Sequence, residues 1–115
     1  MNLSEQLFKA IEANDLNRVK YLVSKGADIR AKDDWAVCLA SDEGYLEIVK
    51  YLISLGADIR ADNDLAVRWA SEYGHLEIIR YIKSLGVELK DINEPDEDTI
   101  DMYGRLNTQI FADLG

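Results

Sequence analysis

Nucleophilic or acid–base catalysis needs a nucleophile and a proton acceptor that the fold brings together, with donors for the charge that develops. This sequence holds one histidine, His75, and one cysteine, Cys38. Zinc sites draw on several Cys or His ligands, so two in total cannot close one. Cys38 alone excludes an internal disulfide and fits a reducing compartment. Neither the Gly-x-x-x-x-Gly-Lys loop nor the Gly-x-Gly-x-x-Gly turn of phosphate binding occurs. Asp33, Asp34, Asp62 and Asp64 have the look of calcium ligands, yet Asp62-Asn63-Asp64 lacks the glycine and the distal bidentate glutamate of a calcium loop. The carboxylates fall in turns with no flanking cleft signature, which leaves a glycosidase pair without support. No catalytic residue, metal or cofactor is expected.

The 115 residues suffice for one compact unit and fall short of two ordinary domains. Hydrophobic residues at 48% and charged residues at 30% give the balance of a soluble globular protein. No apolar run approaches the roughly 18 residues of a spanning helix. Met1-Asn2-Leu3-Ser4-Glu5 has neither a basic start nor an apolar stretch, so an intracellular, cytoplasmic protein is expected. The net charge is −9, and Asp91, Glu94, Asp96, Glu97, Asp98 and Asp101 crowd one stretch between Lys90 and Arg105. Such a chain lacks the cationic surface for phosphate backbones or anionic membranes. The acidic stretch reads as a solvated cap.

The residues that matter are positioned by a repeat. Gly26-Ala27-Asp28-Ile29-Arg30-Ala31 recurs thirty residues later as Gly56-Ala57-Asp58-Ile59-Arg60-Ala61, and again in weaker form as Gly86-Val87-Glu88-Leu89-Lys90-Asp91. Segments 26–55 and 56–85 agree at 18 of 30 positions, more than chance supplies. Each unit reads as two helices and a turn. Asp34 and Asp64 are placed to cap a short first helix. After Gly44 or Gly74 a second helix follows, with Leu46, Val49, Leu52 and Ile53 on one face. Gly56 suits the left-handed position that closes it. One helix pair cannot bury its apolar faces, so neighbours must stack. The spacing predicts an all-α helical solenoid of about four units in a single domain. These are an N-terminal unit over 1–25, repeats over 26–55 and 56–85, and a degenerate acidic C-terminal unit over 86–115. Tyr21, Tyr51 and Tyr81 should climb one flank of it.

These units resemble ankyrin repeats, through Gly-Ala-Asp-Ile-Arg-Ala and through Gly74-His75-Leu76-Glu77-Ile78-Ile79 at the start of the second helix. The resemblance covers about residues 4 to 90. It implies that His75 bonds across repeats and that Cys38 is a small filler. Two features depart from the family. Trp35-Ala36-Val37-Cys38 and Leu65-Ala66-Val67-Arg68 replace the usual Thr-Pro-Leu-His box. The unit is also shorter than the family's by about three residues, lost between Ile29 and Ala36. A tight turn with little or no strand is expected there in place of a projecting hairpin. The thirty-residue unit is similar to the ankyrin arrays of giant amoeba-infecting viruses, which would make the host cytoplasm its setting.

What the resemblance implies is a non-catalytic protein–protein interaction module that binds along its concave face, made of the turns and first helices. Positions where the two full units differ in chemistry mark the surface: Lys32 against Asp62, Asp33 against Asn63, Glu43 against Tyr73, Cys38 against Arg68, and Leu39 against Trp69. Trp69, Tyr73 and Arg68 are the expected anchors, since aromatics and arginine supply most hot spots. Trp69 has an alternative role packed between repeats, and Trp35, whose counterpart is Leu65, is expected to be buried. Arg30 and Arg60 lie near Asp33 and Asp62 and read as a surface charge ladder. A second function class is an acidic inhibitor that occludes a basic surface of a nucleic-acid-binding or defence enzyme. A monomer is expected, with end-to-end self-association as a third reading.

Overall fold

The computed structural model describes residues 1–87, which form six α-helices: α1 (Leu3–Glu12), α2 (Leu16–Ser24), α3 (Ala31–Glu43), α4 (Leu46–Ser54), α5 (Ala61–Glu72) and α6 (Leu76–Ser84). No strand occurs among the described residues. Asn2 starts α1 with a capping box: its Oδ1 accepts from the Glu5 amide at 2.8 Å while Glu5 Oε1 accepts from the Asn2 amide at 3.4 Å. Asp15 opens α2 in the simpler way, its Oδ1 accepting from the Arg18 amide at 3.0 Å.

Gly26 and Gly56, at φ 100° and 101°, close α2 and α4. The Ala27 amide reaches back to Leu22 O at 3.0 Å, and the Ala57 amide to Leu52 O at 3.1 Å. These six-to-one bonds satisfy carbonyls that the helix end would strand. The same closure ends α1, where Asn14 at φ 55° does without glycine. Asparagine tolerates that region because its short polar side chain bonds locally.

Helices α1, α3 and α5 form one layer and α2, α4 and α6 the other. Contacts between successive first helices are more extensive than those between successive second helices. Between the layers lies a continuous core of Leu7, Ile11, Val19, Leu22, Val37, Ile48, Val49, Leu52, Val67, Ile78, Ile79 and Ile82, each nearly devoid of solvent. The buried stripe of α4 is Ile48, Val49 and Leu52, with Leu46 and Ile53 at its half-buried edge. It is therefore rotated slightly from the face that the sequence suggests.

The tyrosine flank is regular. Lys20 Nζ sits 5.6 Å from the ring centre of Tyr51, and Lys50 Nζ sits 5.6 Å from that of Tyr81. One turn after each tyrosine a serine hydroxyl donates to its backbone carbonyl: Ser24 to Tyr21 and Ser54 to Tyr51 at 2.6 Å, Ser84 to Tyr81 at 2.5 Å. Tyr51 and Tyr81 thus meet like surroundings, as stacked units require, while Tyr21, in the first unit, is exposed and has Arg18 and Lys25 of its own unit over its ring. The acidic stretch and the C-terminal unit assigned to 86–115 lie, from residue 88 on, outside the described residues.

Candidate partner-binding surface

The turn that leads into each first helix is left-handed. Lys32, Asp33 and Asp34 have φ of 57°, 56° and 61°, and Asp62, Asn63 and Asp64 have 58°, 58° and 61°. Three such residues in a row cost about 1–2 kcal/mol each against the right-handed form, least for Asp and Asn. Local bonds hold the turn. Asp28 Oδ1 accepts from the Arg30 amide at 2.9 Å, and Arg30 O accepts from the Asp34 amide at 3.1 Å. The second unit repeats both, at 2.9 Å for Arg60 onto Asp58 and 3.0 Å for Asp64 onto Arg60. This compact device fills the space where a longer unit would project a hairpin.

Asp34 does not cap its own helix. It is 3% exposed, and its Oδ1 accepts from the Asp58 amide of the next unit at 2.9 Å while Arg30 Nε pairs with the same carboxylate at 2.8 Å. A buried carboxylate needs such partners. Arg60 grips Asp64 with two bonds, Nε to Oδ1 at 2.6 Å and Nη2 to Oδ2 at 3.0 Å. The arginines thus belong to Asp34 and Asp64, not to Asp33 and Asp62 as their spacing suggests. The left-handed approach explains the correction, because it turns the carboxylate away from the first amides of its own helix. The one available signal was that Asp28/Asp58 and Asp34/Asp64 are unchanged between units.

Tyr45 and His75 differ in chemistry and perform one task. Tyr45 OH donates to Glu12 O at 3.3 Å, and His75 Nε2 donates to Asp42 O at 2.8 Å, each reaching 33 residues back to the end of the preceding first helix. The carbonyl only accepts, so Nε2 carries the proton. A Cβ on Gly44 would lie 2.8 Å from the His75 ring. Gly44 also has φ 84°. Glycine is needed there twice over.

This helix–turn–helix stacking, with its cross-unit bonds, agrees with the family comparison: a model of three ankyrin repeats matches residues 7–96. The chain belongs to the ankyrin repeat family. Ankyrin repeats serve as protein–protein interaction modules and are typically non-catalytic.

The first-helix layer and its turns carry the residues singled out from sequence. Lys32, Asp33, Asp62 and Asn63 lie on the left-handed turns, where Asp33, Asp62 and Asn63 are exposed and Lys32 is exposed as well. Glu43 at the end of α3 is exposed, and Tyr73, just past α5, is 57% exposed. Trp69 is half-buried and meets Trp35 edge to face, with ring centres 5.5 Å apart and planes at 81°. It is therefore both an inter-repeat contact and a surface group, and Trp35 is half-buried rather than buried. Arg68 is exposed, with Nη1 donating to Asn63 O at 3.4 Å. Its counterpart Cys38 is buried, with Asp62 and Ala66 of the following unit nearby. Cys38 and Leu39 are buried and offer a partner nothing.

Proposed function

We propose that this ankyrin domain is a non-catalytic adaptor that holds a protein partner along its first-helix layer inside a cell, where the lone thiol stays reduced. One observation carries the reading. Between the two complete units most buried core residues agree in character, Cys38 against Arg68 and Leu39 against Trp69 excepted, while turn and helix-end positions open to solvent change from Lys32 to Asp62, Asp33 to Asn63 and Glu43 to Tyr73. A scaffold that repeats itself inside and varies outside presents several different groups side by side along one strip. Tyr73 and the open part of the Trp35–Trp69 pair supply rigid aromatic area, and the turns supply a polar rim.

Tyr73 is the residue to test, because its 57% exposure keeps it out of the core. Affinity capture from the native host is expected to yield a protein with the wild-type chain and to lose it with Tyr73→Arg. Trp69→Ala should weaken capture further, at a stability cost from its contact with Trp35. Far-ultraviolet circular dichroism of Tyr73→Arg should match the wild type. Equal capture by wild type and Tyr73→Arg would reject the surface.

A further inference from the structure

The tyrosines of the second-helix layer are surrounded by cations. Arg18 Cζ and Lys25 Nζ each lie 5.5 Å from the ring centre of Tyr21. Lys20, on the next edge of α2, spans to Tyr51, and Lys50 spans in the same way from α4 to Tyr81. These four bases form a continuous strip across α2 and α4, and all are exposed. Aromatic and apolar area lies between them. Tyr21 is 50% exposed and Tyr51 half-buried. Leu55, 45% exposed, follows Tyr51 by four residues as Lys25 follows Tyr21, which puts it beside that ring.

Ion pairing sets this strip apart from the rest of the surface. Arg30 and Arg60 hold the carboxylates of Asp34 and Asp64 at 2.8 and 2.6 Å. Arg18, Lys20 and Lys25 hold no carboxylate among the described residues, although the chain has 22 acids for 13 bases. Lys50 meets Glu47 at 3.8 Å, with 74% of the glutamate side chain exposed, a pair of little strength. The acids are gathered in the other layer. Segments 1–15, 26–45 and 56–75 hold twelve acids and five bases, whereas 16–25 and 46–55 hold one acid and four bases. A ring attracts the cation over it without neutralising the charge, so the strip stays complementary to an anion.

We infer that this strip docks an extended acidic peptide segment of a partner protein, on the layer opposite the proposed adaptor surface. Neighbouring helices pack roughly 8–10 Å apart, and three residues of extended chain rise about 10 Å. Carboxylates three residues apart in such a peptide therefore meet the bases of α2 and α4 in turn. An apolar side chain between them rests on Tyr21, or on Tyr51 with Leu55. Nucleic acid and anionic membrane are poorer occupants. Their charge extends far beyond a four-base strip, and the acids of the adjoining layer repel it. A second copy would bring one net charge of −9 against another. The site stands whether or not the first-helix layer binds a partner.

The test uses the full chain and a fluorescein-labelled peptide of Glu-Leu-Ser repeated four times, followed by fluorescence anisotropy. Binding is expected to weaken about tenfold or more when Lys20→Glu and Lys25→Glu are combined, and to fall steeply between about 0.05 M and about 1 M salt. Lys20→Gln with Lys25→Gln, which adds no new acid, should weaken it in the same direction, with the helical circular dichroism of wild type. Tyr21→Ala should weaken it at unchanged salt dependence. Tyr73→Arg, on the opposite layer, should leave it unchanged, which separates this site from the adaptor surface. Absence of binding, equal binding of a peptide with Gln in place of Glu, or indifference to the Lys20 and Lys25 variants overturns the site. Tighter binding of a short DNA duplex or of phosphatidylserine vesicles than of the peptide overturns it too. So does sedimentation of a wild-type dimer that Lys20→Glu dissociates, because the strip would then belong to a second copy.

Discussion

Cys38 occupies the junction between the second and third units, 1% exposed. Its burial, with the carboxylates of Asp62 and Asp34 nearby, pushes the thiol from 9.0 up to about 11. The thiolate is the nucleophile, so at neutral pH this thiol is inert as long as the units stay together. A thiol-specific chromogenic reagent at about pH 8, below the ordinary thiol range, is expected to leave the native protein unlabelled over the time in which it labels the urea-unfolded chain completely. Rapid stoichiometric labelling of the native protein would contradict the packing. The pH dependence has a definite sign. The folded state binds this proton more tightly than the unfolded state, so its contribution to stability is complete below pH 9.0 and lost as pH rises through about 11. Thermal melts across that window should show the midpoint falling more steeply for wild type than for Cys38→Ala. The ankyrin resemblance pointed to a small filler at this position, where the family's box usually places a histidine. It did not reach full burial, which depends on Asp62 and Ala66 arriving from the next unit.

The left-handed turns are the elements least legible in the sequence. A unit shorter than the family's signalled a missing hairpin, and the structure has none among its described residues. Nothing in Lys32-Asp33-Asp34 or Asp62-Asn63-Asp64 announced three consecutive residues at positive φ, because ordinary propensity places such residues there singly. The misplaced role of Asp34 follows from the same gap: capping preferences assume that the chain enters a helix from extended backbone. Lys32 is the weakest link, since it lacks the short polar side chain that eases Asp and Asn into this region. Lys32→Gly is therefore expected to raise stability by about 1 kcal/mol, the relief of Cβ strain outweighing the entropy that glycine adds to the unfolded chain. Lys32→Val should lower it by at least as much, because branching at Cβ worsens the clash. Chemical denaturation of both variants against wild type measures this. A loss of stability with glycine and a gain with valine would mean that the turn does not adopt the conformation described.

At the scale of the whole molecule, the thirty-residue period made the stacking readable before any element was defined. Tyr51 and Tyr81 fell into equivalent places because a lysine of the preceding unit reaches each ring, and the serine three residues on bonds the backbone carbonyl of all three tyrosines. What the period hid is direction: two units can agree at most positions and still differ in which face meets a neighbour. A stack of this kind has no unit with a finished interior, so stability should be shared through the interfaces. Leu52 lies in the central unit with 0% exposure. Leu52→Ala is expected to cost about 2–5 kcal/mol, a large part of the roughly 5–15 kcal/mol that holds a domain of ordinary stability. Its effect should not stay local. Tryptophan fluorescence, which reports the Trp35–Trp69 contact between the second and third units, and circular dichroism, which reports every helix, should shift together to the same lower urea midpoint. If the fluorescence transition moved while most of the helical signal remained in place, the first unit would be standing without its neighbours, and a core built jointly by adjacent units would be the wrong description.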